Sequence, residues 1–454
     1  MTLLKTPFLL FYFFFILSSF SLQCYAFDLS AFFSRVEERD YQLKNLLHRE
    51  KAGEYRVYQA KSAYFPKIDV SSYLGWEKYK LYYGDEISKS LRYYYLSLRQ
   101  PVIHLELLAK IKESKLANEV DALRTSQQRY YARYYALTTL IHYLTASSRE
   151  KVLSQLLQVE KERLVRAEQL LKAKVISEDE YIAIQKDYHD ALVSHEQVLS
   201  DLNVFSFILK ELVGNFTLPN SLCITSDFVN ATKELLPSLL SLESLLENNF
   251  EVRIAKKNIE VASAEYDIRK YERFPKLDFT LVYWYSTSTG TSYVKEDFRA
   301  ALSLEFPIFQ GGYFSARKAE ALELKKAAEA VLLDTFRHVR FQFQQSLKRY
   351  QQSLKKFHSF RERLLSDEHL LNLYQKAYLT RAKSIFDVLF QKSEVLKDQD
   401  TLLQSLDDLL TSYVELYYLS AELEPENLDL LNLIWPSYCH AKKISFRICK
   451  KRSY

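Results

Sequence analysis

The sequence predicts a mainly α-helical chain carrying a few membrane-type β-strands, made by tandem duplication of a helix–strand–strand–helix–helix unit. Three observations point there. Glycine (7) and proline (9) are scarce in 454 residues, so turns are few and the elements between them long. Apolar residues recur in alternating steps of four and three over long stretches, the mark of helices packed side by side. The word FPKID at 65–69 returns as FPKLD at 274–278, offset by 209 positions.

The chain opens with Lys5, an apolar run over 8–20 and a small residue at Ala26. This pattern fits a secretory signal peptide over 1–26, and the run is short for a transmembrane helix. No later stretch is apolar enough to span a bilayer as a helix, so any span must be made of strands. Cys223, Cys439 and Cys449 remain after cleavage, too widely spaced for a disulfide framework.

A first structural repeat is expected over 27–215, with strands at about 67–79 and 91–100. In the second of these, Tyr94, Leu96 and Leu98 fall on one face and Tyr93, Tyr95, Ser97 and Arg99 on the other. A linker follows over 216–238, then a second repeat over 239–424, with strands at about 276–287 and 297–306. There Phe298, Ala300, Leu302, Leu304 and Phe306 alternate with Arg299, Ala301, Ser303 and Glu305. Strict alternation gives a strand one apolar and one polar side, and about ten residues cross a bilayer at a tilt. Tyrosines with Trp76 and Trp284 suit a membrane-interface belt. A basic tail is expected over 425–454.

The helices show the other period. Leu116, Val120, Leu123, Gln127, Tyr130, Tyr134, Leu137, Ile141 and Leu144 keep it in the first repeat, as do Ile184, Ala191, Val198 and Leu202. Leu332, Phe336, Val339, Phe343, Tyr350 and Phe357 keep it in the second, with Val395, Leu402, Leu406, Leu409, Tyr413 and Leu416 in the last helix. Residues 105–170 contain no Pro or Gly and would make a helix roughly 100 Å long. Pro66 and Pro275 are placed where helix gives way to strand, and Pro101 and Pro307 where strand gives way to helix. Proline interrupts a helix interior but is tolerated at a strand end or a first helical turn.

Net charge is +5, from 62 basic and 57 acidic residues, which argues against a dedicated nucleic-acid binder. The chain holds no phosphate-binding glycine loop, HExxH, CxxC or nucleophile elbow, and its nine histidines are scattered. No enzyme, cofactor or metal site is expected. Four membrane strands cannot close a barrel, since the smallest single-chain barrels use eight, and open edges in lipid are prohibitive. Several chains must pool their strands, and three would give twelve. The competing expectation is a secreted or periplasmic coiled-coil structural protein without a pore.

LSLEFPIFQGG at 302–312 resembles the signature of the TolC-like outer membrane efflux family, and AYLTRAKSIFDVL at 377–389 resembles that family's second hairpin tip. The resemblance implies a homotrimer with a 12-stranded barrel in outer membrane lipid and a long coiled-coil α-barrel in the periplasm of a Gram-negative-type cell. It implies a periplasmic adaptor (membrane fusion) protein and an inner-membrane transporter as partners, in efflux or type I secretion.

The family's gate tyrosine matches Tyr378, its gate arginine position is Lys383 here, its acceptor falls at Glu180 beside Asp179, and its inward aspartate ring matches Asp387. A second aspartate is expected three residues later, where Phe390 stands, a more apolar constriction. The family's glycines at the two hairpin tips are Lys174 and Arg381 here, which with Lys172 and Lys383 predicts a basic mouth for the adaptor to meet.

Overall fold

The computed structural model describes residues 27–219, 222, 226–234, 246–287 and 295–432. The expected signal peptide, the cysteines, the turn around Gly290 and the basic end of the tail lie outside the described residues. In chain order the elements are α1 (Leu29–Arg39), α2 (Tyr41–Ser62), β1 (Lys67–Lys80), β2 (Glu86–Ile103), α3 (Leu105–Lys172), α4 (Glu178–Val213), α5 (Ser226–Glu234), α6 (Phe250–Tyr271), β3 (Lys276–Ser286), β4 (Glu296–Glu305), α7 (Tyr313–Leu379) and α8 (Ile385–Leu419). A 3₁₀ turn (Pro425–Asn427) and α9 (Asp429–Asn432) follow. Helix α5 falls inside the stretch read as linker. The start of the tail is also ordered, with Leu428, Leu430 and Leu431 fully buried. Leucines at that spacing form a small apolar face at the start of the stretch read as a basic tail.

The chain divides into two compact units that cut across the sequence repeats. One takes 1–40, 131–241 and 343–454, the other 41–130 and 242–342. Helices α3 and α7, 68 and 67 residues long, contribute to both.

In the second unit the four strands form one antiparallel sheet in the order β1-β2-β3-β4. Its register aligns Val70 with Leu96, Leu96 with Tyr283 and Tyr283 with Phe298; alongside run Ile68, Leu98, Leu281 and Ala300. Successive side chains alternate between faces, so these residues join into one apolar face across all four strands. Ser97, Arg99, Thr280, Asp278 and Ser303 fall on the other. There Arg99 donates to Asp278 at 2.6 Å and His104 lies 3.0 Å from the same carboxylate. Among the described residues, strands β1 and β4 each have only one neighbour.

The corners before the strands are built alike. Phe65-Pro66 and Phe274-Pro275 both follow a two-residue turn, and the strand starts at the next residue, Lys67 or Lys276. The corners after the strands differ. Pro101 lies inside β2, at a register shift between Pro101 and Ile103, and α3 begins at Leu105. Pro307 lies outside β4, and 306–312 intervene before α7, ending in Gly311 and Gly312 at φ 59° and 86°. Left-handed backbone is easy for glycine, so the second repeat can turn where the first runs straight on.

In the first unit the core is helical. Val152, Leu153, Leu156 and Val159 of α3 pack with Ala191 and Val198 of α4 and with Leu389, Leu396 and Leu403 of α8. Leu137, Ile141 and Leu144 of α3 are also buried, as are Tyr350 and Phe357 of α7 and Leu402, Leu406, Leu409, Tyr413 and Leu416 of α8. The side chains read as the apolar stripe are therefore the ones withdrawn from water.

Candidate functional site

Two helical hairpins, α3–α4 and α7–α8, end in matching turns. At the first, the Val175 N–H donates to Leu170 and the Lys174 N–H to Leu171; at the second, Ala382 donates to Ala377 and Arg381 to Tyr378. This six-residue plus four-residue closure is the Schellman motif, which needs a left-handed residue after the helix. Lys174 (φ 55°) and Arg381 (φ 59°) supply it, at positions where glycine would be unstrained.

A serine then caps the next helix in each hairpin. The Ser177 N–H donates to the Glu180 carboxylate at 3.2 Å. At the second tip the Ser384 N–H and hydroxyl both donate to Asp387 at 2.8 Å, and the Asp387 N–H donates back to the Ser384 oxygen. Acids in a first helical turn also face the favourable end of the helix dipole. Ser384's backbone and hydroxyl bonds, helped by Lys383, hold the Asp387 carboxyl below the usual carboxylate range. Ser177 does the same for Asp179.

The expected gate residues are not all brought together within one chain. Glu180 is exposed and spends its carboxylate on its own cap, and it bonds to neither Tyr378 nor Lys383 among the described residues. The Lys383 ammonium lies over the Tyr374 ring at 4.6 Å and stands 3.9 Å from Asp387. Tyr378 is 44 % exposed. The mouth is also less uniformly basic than the sequence reading had it. Lys172 is paired with Glu168 at 2.7 Å, and Glu178, Asp179 and Glu180 open the helix that follows Lys174.

Phe390, expected at an apolar constriction, has a definite partner. The Arg163 guanidinium of α3 sits over its ring at 5.2 Å and over Phe386 at 5.5 Å. Arg163 donates to Glu160 at 2.6 Å and to Asp187 of α4 at 3.3 Å, and the Ser393 hydroxyl of α8 donates to Glu160. The Arg163 and Glu160 side chains are 3 % and 0 % exposed.

In the second hairpin, Asp398 of α8 is buried against α7, where Arg363 reaches it at 2.9 Å. Burial and the neighbouring Asp367 carboxyl push Asp398 up to about 7, against the pull of Arg363. Gln391 donates to Asp367 at 3.1 Å.

Reading the sequence missed Arg163, Glu160, Ser393 and Asp398. Two signals were there. Arg163 continues the stepped series Val152, Leu156, Val159, and Asp398 falls between Val395 and Leu402 in the same rhythm. A charge on an apolar stripe calls for a buried partner.

No curated protein sequence matches the chain. Residues 241–422 match the family described as outer membrane efflux protein. Three solved structures share the fold over most of their length. The channel-forming protein CusC has a TM-score of 0.74 at 14 % identity, covering 86 % of this chain and 91 % of its own. The Campylobacter jejuni CmeC outer membrane channel has 0.72 at 12 %, covering 89 % and 88 %. The outer membrane protein VceC from Vibrio cholerae has 0.71 at 12 %, covering 86 % and 95 %. The resemblance first carried by two motifs thus holds at both levels: residues 241–422 match the outer membrane efflux protein family, and the chain shares the fold of TolC-like outer membrane channels.

Proposed function

We propose that this chain is an outer membrane channel, the exit duct of a tripartite efflux or type I secretion system, and a passive conduit gated at its periplasmic end. The observation that carries this reading is the sheet. Four antiparallel strands present one continuous apolar face, and both outer strands lack a second neighbour among the described residues. Ile68, Val70, Leu74 and Trp76 of β1 and Phe298, Leu302 and Leu304 of β4 are exposed. No helix among the described residues is long and apolar enough to cross a membrane. A sheet with a bare apolar face and bare edges belongs in lipid only when closed. Three copies supply twelve strands, with β4 of each pairing with β1 of the next, and the helices continue the tube into the periplasm.

In this reading the hairpin tips form the gate. Glu180 and Tyr378, both exposed, meet across neighbouring hairpins, with Lys383, Asp387 and Phe390 lining the constriction. Each exposed pair contributes only ~0–1 kcal/mol, repeated by symmetry. An adaptor and an inner-membrane transporter dilate the gate by binding the open state more tightly.

Planar-bilayer recording on purified protein, with its oligomeric mass in detergent, tests this. A trimer of small, noisy conductance that rises several-fold in Tyr378→Phe/Lys383→Ser is expected. A water-soluble monomer or dimer without conductance would leave a coiled-coil structural protein. Lys174 and Arg381 have no ion-pair partner among the described residues and are expected to meet acidic residues on the adaptor. Lys174→Glu/Arg381→Glu should then weaken co-purification of the adaptor at least tenfold at low salt, and unchanged capture would sink that contact.

A further inference from the structure

Below the tips, two buried charges, Glu160 and Arg163, and the half-buried Asp187 join three helices. Glu160 and Arg163 belong to α3, Asp187 to α4, and Phe386, Phe390 and Ser393 to α8. Arg163 bonds to Glu160 and Asp187, its guanidinium is covered by both phenylalanine rings, and Glu160 accepts from Ser393 as well. Of the acidic and aromatic partners of Arg163, Glu160 thus comes from its own helix, Asp187 from α4 and both phenylalanines from α8. The cluster borders the apolar packing of Val159, Ala191 and Leu389.

Elsewhere near the tips, charges are exposed and shared within one helix or one turn. Lys172 pairs with Glu168, Lys383 with Asp387, and Glu180 with its own cap. Water screens such pairs, and they constrain no second helix. A buried arginine differs. Pulling α8 off α3 would take the Ser393 hydroxyl from the buried Glu160 carboxylate and uncover a guanidinium held by two aromatic faces, and both losses are disfavoured.

We propose that Arg163 is the positioning residue of the gate: it pins α8 of the second hairpin to α3 and α4 of the first, and so sets how far the tips can part. This rests on the gated-duct reading. Phe390, at the position where a second acid was expected, is then one wall of the arginine's seat. The exposed tip residues trim the constriction, and the pin decides its rest width.

The test uses the full mature chain reconstituted in planar bilayers, as wild type, Arg163→Lys, Tyr378→Phe/Lys383→Ser and the charge-neutral pair Glu160→Gln/Arg163→Met. The neutral pair leaves no buried charge unpaired, since Asp187 is part-exposed, so it separates loss of the pin from loss of folding, which far-UV circular dichroism checks. Its conductance should rise several-fold over wild type, at least as much as that of the tip variant. Arg163→Lys keeps the charge but not the fork, and should fall between.

Spin labels at Val165 and Lys392, both exposed, in a chain with its cysteines changed to serine, give a reading independent of conduction. The α3–α8 distance distribution should be narrow in wild type and broaden in the neutral pair. A wild-type conductance from the neutral pair beside a raised one from the tip variant would put the gate at the tips alone. It would overturn the pin and leave the duct standing. An unchanged distance distribution would overturn the pin whatever the bilayers show. Absence of conductance in every protein would remove the duct, and the pin with it.

Discussion

The two hairpins share a backbone and differ in their electrostatics. Each ends in a Schellman turn with a cation in left-handed conformation, followed by a serine cap and an acid three residues on. Behind the first tip, a buried arginine is matched by two acids, one from its own helix and one from α4. Behind the second, buried Asp398 faces the acid Asp367, with one arginine between α7 and α8 to offset them. The turns and caps are the same in both hairpins. The charges within each hairpin differ, because a turn needs only a few bonds while a buried charge must suit its own neighbours. In the first interior the arginine is ion-paired with both acids. The second is satisfied only while it holds a proton.

The largest expected effect follows from that contrast. Asp398 binds its proton more tightly in the folded chain, at about 7 against an ordinary 3.8. Folding stability from this group is therefore fully present below about pH 4 and is lost as pH rises through about 7; above that it changes no further. Amide exchange across the α7–α8 contact should accelerate between pH 5 and 8, after correction for the intrinsic pH dependence, while the α3–α4 contact stays flat. Asp398→Asn keeps the shape without the charge and should abolish the slope. The same slope in both hairpins, or its survival in the asparagine variant, would break the comparison. His142 adds a smaller trend of the same sign. Burial opposes its charge, but the bond to Asp407 at 2.8 Å outweighs this and raises its pKa.

Most of the fold was legible because it is periodic. Alternation of two located the strands, steps of four and three located the buried stripes, and the repeated FPK word located two corners that prove alike. What could not be read lies where a residue acts across chain segments. Pro101 and Pro307 look equivalent in sequence, yet the first sits in a strand and the second in a seven-residue connection, because only the second is followed by paired glycines. At the tips, Lys174 and Arg381 were placed from the family pattern, and their left-handed backbone agrees. Glu180, Tyr378 and Lys383 were paired from the same pattern, but their bonds within one chain go elsewhere. Arg163 and Asp398 stood in plain view on apolar stripes. Apart from Glu160, their partners come from other helices, dozens to hundreds of residues away in sequence, which no local period reports.

The smallest effect concerns the backbone that the hairpins do share. A non-glycine residue in left-handed conformation costs about 1 kcal/mol relative to glycine, since its Cβ crowds the following carbonyl. Lys174→Gly and Arg381→Gly should each relieve that strain. Neither side chain forms an ion pair among the described residues, so little is lost in exchange. Local opening of the last turn of α3, and equally of α7, should become about fivefold rarer, read as slower amide exchange there. Equal gains would show that the tips are one backbone device used twice. A gain at Lys174 with none at Arg381 would mean that the second cation already has a stabilising partner in the assembled protein, and would turn attention to what approaches that tip.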